Sequence, residues 1–281
     1  MIKDILVHVP TERAMRPVID ASISLAKIFG AHLDAVALGY VSTGTVAYAF
    51  HGGAATAVAA YLEREQERAV ERATTALSVF ETEARQAGIS YECRSIADIP
   101  ADAAASIGTA ARLYDLSVVL QPQAELKTFD NTIPTEILLR AGGPVLFIPH
   151  VSCGAFKAKR IGICWDGSRL AARALKDAKP FLAQADTLIT ISINGADSTP
   201  PEASAEKLSK HLARVGLPMR LINLPASRLE IHPCILSFAA DEGLDILVMG
   251  AYGHSRLQEG ILGGVTRETL RTMTVPTLMS H

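Results

Sequence analysis

Short apolar runs rich in Val, Ile and Leu alternate along the chain with longer segments whose apolar residues recur every three or four positions. In the first half the runs fall at 4–9 ("DILVHV"), 32–38, 90–96, 116–120 and 144–148. In the second they fall at 160–165, 187–193, 219–224, 245–250 and 276–280. Several are continuously apolar rather than alternating, as expected of strands covered on both faces. Strands that alternate with helical segments predict βαβ units, and hence a parallel sheet with right-handed crossovers.

The two sets of runs superpose element for element. "KDILVHVP" lies over "KRIGICWD", with Lys3 on Lys159 and Pro10 on Asp166. Asp115 likewise falls on Asp245, and Pro144 on Pro276. The offset is 156 at the first strand, 130 at the fourth and 132 at the last, which places 26 extra residues between strands one and four of the first half. The pattern is that of a tandem duplication, with one domain over 1–150, a second over 158–281 and a join near "HVSCGAFKAK". The extra residues lie within 41–88, where Leu62, Ala69, Ala73, Leu77, Phe80 and Ala84 predict one long helix from about Thr56 to Gln86, ended by Gly88. Its charged run "EREQERAVER" reads as a solvated helix face. The apolar, glycine-flanked stretch at 44–55 either covers a pocket or packs against a partner.

Composition changes this picture little. A chain of 281 residues, 49% hydrophobic and 20% charged, is an ordinary globular one with room for about two domains. A formal net charge of -2 argues against a nucleic-acid footprint. No apolar run reaches the ~18 residues of a membrane span. Asp4 interrupts the apolar N-terminal stretch, which lacks the features of a signal peptide, so a cytoplasmic location is expected. The four cysteines and eight histidines are dispersed, without the spacings of a disulfide framework or a metal site, and no metal is expected.

One stretch concentrates chemistry. "MGAYGHSRLQEGILGGVT" (249–266) holds five glycines directly after the apolar run "DILV". In parallel α/β sheets ligands sit beyond the carboxyl ends of the strands. A helix starting near Gly264 would aim its free N–H groups at that loop, and bare glycine backbone lets an anion approach them. Thr266 adds a hydroxyl in the first turn. The spacing Gly250-x2-Gly253-x9-Gly263 is neither a P-loop nor a Rossmann fingerprint.

That spacing, between a fourth strand and the final "VPTLM" strand, resembles the G-x2-G-x9-G-[S/T] signature of the universal stress protein family in its tandem form. The resemblance implies two five-stranded parallel sheets with helices on both faces (a Rossmann-like fold), packed as a pseudo-dimer, with 144–148 and 276–280 as candidates for pairing between them. It also implies a stress-response or regulatory protein that binds ATP, with or without Mg2+, or a related adenine nucleotide. By that resemblance Asp166 and Ile193 face the adenine, Met249, Gly250 and Gly253 line the ribose and phosphate approach, and Gly263, Gly264, Val265 and Thr266 cradle phosphate. Asp166 also reads as a turn residue or helix cap, and Trp165 as either core or pocket wall. Tyr252, His254 and Arg256 lie on the loop. His8 and Cys164 share a repeat position and are expected to be packing residues.

Gly264 stands where the family has Ser or Thr, which removes one hydroxyl contact worth about 0.5–1.5 kcal/mol. The first half lacks the motif altogether. Pro10 replaces the Asp, Leu120 and Gln123 replace two glycines, and "NTIP" (131–134) replaces "GGVT". The expectation is nucleotide in the C-terminal half only. An interaction or small-ligand module without nucleotide is the alternative. Catalysis is the weakest reading, because the loop offers no nucleophile paired with a base and no P-loop lysine; slow ATP hydrolysis is the form it would take.

Overall fold

The computed structural model describes residues 1–42, 55–195, 199–227, 229–251 and 264–281, without the side chains of 55–57 and 264. In the first half the order is β1 (Asp4–Val9), α1 (Arg16–Phe29), β2 (His32–Tyr40), α2 (Ala55–Ala87), β3 (Tyr91–Asp98), α3 (Pro100–Ala110), β4 (Leu116–Leu120), α4 (Ile133–Arg140) and β5 (Val145–Ile148). The second half follows with β6 (Arg160–Cys164), α5 (Arg169–Asp177), α6 (Lys179–Leu182), β7 (Thr187–Ile193), α7 (Ala205–Arg214), β8 (Arg220–Leu224), α8 (Ile231–Asp241), β9 (Ile246–Gly250), α9 (Gly264–Thr272) and β10 (Thr277–Ser280).

The local sequence explains these boundaries. Pro17, Pro100 and Pro134 occupy first turns of helices, where a missing N–H costs nothing. Ser168 and Ser204 cap α5 and α7 by accepting the Ala171 and Lys207 amides. α2 is the expected long helix, one residue longer at each end, and it buries Ala69, Ala73, Leu77, Phe80 and Ala84.

Each half is a parallel sheet in which the third strand is outermost and the first lies at the centre. The two join edge to edge, giving the order β3-β2-β1-β4-β5-β10-β9-β6-β7-β8. The junction is the one antiparallel pair among the described strands, with Thr277 opposite Phe147, Leu278 opposite Leu146 and Met279 opposite Val145. Central strands β1, β4 and β5 are almost wholly buried and largely apolar, whereas no residue of the outermost β3 and β8 is buried.

Apolar residues cover both faces of this sheet. On one, Ile5, Val7 and Val9 continue through Leu146 and Leu278 to Ile161, Ile163 and Trp165, under α1, α2, α5 and α7. Phe29 of α1 crosses between halves to meet Phe181 edge-on at 5.1 Å, with Phe156 of the join beside it. On the other face Leu6, Val36 and Leu38 pack under α3 and α4, and the same cluster reaches Met249, Leu270, Met273 and Met279 of the second half. Ile189, Ile191 and Leu247 lie under α8. No helix of the described residues is long and apolar enough to cross a membrane.

Candidate functional site

In each half the first and fourth strands are parallel neighbours, so their carboxyl ends open on the same kind of corner. In the second half the turn after the first strand is "CWDGS". Trp165 is buried and its Nε1 donates to the Ala203 carbonyl at 2.8 Å. Asp166 is exposed, and its Oδ1 accepts the Ser168 amide at 2.9 Å. Asp166 is thus the turn residue, while Ser168 is the residue that caps α5. Gly167 has φ +72°, a conformation that glycine enters freely, and a Cβ there would meet Thr199 Cγ2 at 2.8 Å. The segment 199–203 therefore lies directly over this turn.

Ile193 ends β7 as a partly buried residue of the α8 side. Just beyond it Asn194, at φ 50°, clamps the end of β8: its Nδ2 donates to the Ala226 carbonyl and its Oδ1 accepts the Ala226 amide. Two buried hydroxyls in this corner, Ser192 Oγ and Thr199 Oγ1, have no hydrogen-bond partner among the described residues. Thr199 packs on the turn that presents Asp166, and a buried hydroxyl with no partner among the described residues is a feature that suits a polar ligand.

The motif glycines divide. Gly253 and Gly263, with Tyr252, His254 and Arg256, lie outside the described residues. At Gly250 a Cβ would stand 2.6 Å from the Leu170 carbonyl carbon and 2.7 Å from the Ala171 amide nitrogen. The bare position is thus already explained by close packing of α5 on β9, with no ligand needed. Met249 and Val265 direct their side chains into the apolar cluster with Leu270 and Met273, and Thr266 is buried. Gly264 is the first residue of α9, as expected. Of the nine sequence-derived positions, Asp166 brings an exposed side chain to the corner; Met249, Val265 and Thr266 can contribute main chain there. Cys164, partly buried on β6, has its thiol pushed up to about 12 by burial, which leaves it a packing residue.

The first half differs in a way the sequence reading did not foresee. Its corner is filled by polar side chains of the protein itself. Asp130 is fully buried; its Oδ2 accepts the Thr11 amide at 3.0 Å and the Glu12 amide at 2.8 Å, and its Oδ1 accepts the Tyr40 hydroxyl at 2.7 Å. Glu12 answers across the gap, its Oε2 accepting the Phe129 amide at 2.9 Å and the Thr128 hydroxyl at 2.5 Å. The two loops thus clasp one another through exchanged carboxylates. Arg13 lies beneath, donating to the carbonyls of Gln121, Leu120 and Asp130 at the end of β4. His8, expected as a plain packing residue, sits fully buried with Nε2 3.7 Å from Asp130 Oδ1. Burial holds its pKa down to about 4, so the ring is neutral at physiological pH. Burial also raises the Tyr40 phenol far above its ordinary value, with Asp130 adding to the effect.

The fourth-strand loop needs no glycine here because side chains pin it. Asn131 accepts the Gln123 amide at 2.9 Å and donates to the Gln123 and Leu126 carbonyls at 2.7 Å each. Its backbone groups are thereby satisfied internally, not left toward a ligand.

Comparison with known proteins follows the same lines. Residues 230–281 match the universal stress protein family. Over 126 residues the chain is 25% identical to the universal stress protein Slr1230 of Synechocystis, covering 42% of this chain and 41% of the relative. Over 77 residues it is 32% identical to the universal stress protein MJ0577 of Methanocaldococcus jannaschii, covering 26% and 44%. The matches thus span less than half the length of these curated relatives. A universal stress protein crystal structure from Archaeoglobus fulgidus superposes with a TM-score of 0.73 over 98% of this chain and 97% of that one; at 16% identity the likeness is one of fold.

Proposed function

We propose, from its match to the universal stress protein family, that this chain is a stress-response regulatory protein that binds ATP or a related adenine nucleotide in its C-terminal half alone. In this reading Asp166 and the end of β7 at Ile193 receive the base. Main chain at Met249, Gly250 and Gly253 passes the ribose, and Gly263, Gly264, Val265 and Thr266 hold the phosphates at the start of α9, with Mg2+ as an accompanying ion. The observation that carries it is the contrast between two corners of one duplicated fold. One has a glycine-spaced sequence after its fourth strand, an exposed carboxylate after its first, and two buried hydroxyls without a partner among the described residues. The other is closed by Asp130 and Arg13. The antiparallel β5–β10 pairing supports treating the halves as an internal pseudo-dimer.

The test is thermal. A ligand present at 100 times its Kd adds about 2.7 kcal/mol to the stability of the state that binds it. Millimolar ATP with magnesium is expected to raise Tm, Gly253→Asp to remove the shift and Gln123→Asp to leave it. Absence of any shift in the unaltered protein rejects nucleotide binding. A second reading, an interaction module that holds no nucleotide, draws on Gly264 in place of a hydroxyl residue. It predicts stable self-association with no response to ATP.

A further inference from the structure

We propose that the N-terminal half contains an anion seat, built from the amides of Thr11 and Glu12 and the hydroxyl of Tyr40, which the chain occupies permanently with its own Asp130 carboxylate. The inference does not rest on nucleotide binding in the other half.

Three donors converge on this carboxylate at 2.7–3.0 Å, two from consecutive main-chain amides and one from a buried phenol. Consecutive amides aimed at one oxygen form an anion-binding concavity irrespective of who supplies the anion. The carboxylate itself is withdrawn from water, since Asp130 and His8 are both 0% exposed and Arg13 is buried beside them, while Thr11 is half-buried and Glu12 exposed at the rim. Unfilled, the buried Tyr40 hydroxyl would be stranded, and a stranded buried donor costs more than an average hydrogen bond contributes. The orphaned nitrogens of His8, Arg13 Nε and Gln121 Nε2 show that the pocket wall is already polar beyond what its protein partners satisfy. Asp130 therefore acts as an intramolecular ligand whose effective concentration no small free anion matches.

The other half carries no carboxylate at the matching position. By the repeat offsets, Thr11 and Glu12 correspond to Gly167 and Ser168, and Asp130 corresponds to Leu262, which carries no charge. The Ser168 amide is taken instead by its neighbour Asp166. A carboxylate at 130 is thus a feature of the first half that the duplicated position does not share.

The seat takes a small planar carboxylate in preference to a tetrahedral phosphate, because it was shaped around one. The experiment removes the plug and offers replacements. In the full-length chain Asp130→Ala is expected to lower Tm by roughly 5 °C or more. Formate, and acetate less strongly, should restore part of that loss saturably against sodium chloride at matched ionic strength; phosphate should do so least. The unaltered protein should show no anion-specific shift. Adding Tyr40→Phe to Asp130→Ala should weaken the formate response several-fold. Asp115→Ala is the control: Asp115 Oδ2 accepts the Lys3 and Asp4 amides on the exposed opposite end, so its loss should give no formate-specific response. Should Asp130→Ala be recovered only unfolded, refolding from urea with and without formate gives the same readout. Asp130→Asn, which keeps the plug's shape but not its charge, should be less stable and indifferent to formate. An Asp130→Ala protein as stable as the parent, or one that answers formate and chloride alike in melting or refolding, overturns the proposal.

Discussion

Trp165 and Ala203 are tied by an indole-to-carbonyl hydrogen bond of 2.8 Å, and through it the segment 199–203 is held over the turn that presents Asp166. Because Trp165 is the chain's single tryptophan, its emission reports on this corner without labelling. Ligand seated beside Asp166 is expected to change its intensity or wavelength, with the same midpoint as the rise in Tm. Trp165→Phe keeps the ring but strands the carbonyl, and is expected to cost about 1 kcal/mol in urea unfolding.

Gly250→Ala tests whether that glycine serves packing. Its new methyl would press on the Leu170–Ala171 peptide, which cannot withdraw as a side-chain tip would. Overpacking of this kind costs about 1–3 kcal/mol, so the urea midpoint should fall even with no ligand present. A variant as stable as the parent would return Gly250 to a purely ligand-facing role.

Arg13→Lys is expected to be far from conservative. The guanidinium fork reaches three carbonyls from its two terminal nitrogens, whereas an ammonium is a single donor point that cannot span them. A loss of about 2 kcal/mol is expected, measured by denaturant unfolding. The same exchange at the matching Arg169, which is exposed, should fall within about 0.5 kcal/mol of zero.

His8 makes stability depend on mild acid. Folded, it faces Asp130, Arg13 and the Tyr40 phenol, and its pKa lies near 4 instead of 6.5. Above pH 6.5 neither state binds the extra proton and stability is full. As pH falls from there toward 4, the unfolded chain takes up a proton that the folded one resists, and stability is lost. Between pH 7 and pH 5 this amounts to about 2 kcal/mol. His8→Cys, which copies Cys164 of the other half, should flatten the slope over that interval. Equal slopes in parent and variant would place the titrating group elsewhere.

The strand positions were legible because a covered parallel strand is largely apolar: β1, β4 and β7 fall at 4–9, 116–120 and 187–193 as read, and the others within two residues. The long helix was legible from its apolar spacing. The clasp in the first half was not. Reading "TFDNTIP" for the absence of glycine hides the presence of Asp130, and Arg13 reads as an ordinary loop arginine. The signal was there in position: an acid after the fourth strand and a base after the first must meet at the same end of a parallel sheet. Gly250 was ambiguous for a different reason. A bare position reads alike whether a ligand or a helix backbone occupies the space, and only three-dimensional placement tells them apart.

The β5–β10 seam has a consequence for inheritance of asymmetry. Two unlike partners made as separate chains can exchange and sort into mixed or matched pairs. Here both seam strands belong to one polypeptide, so every molecule carries one copy of each kind in fixed proportion, whatever the concentration. A nick in the join at 150–159 is therefore expected to leave two fragments that travel together until the sheet itself is pulled apart.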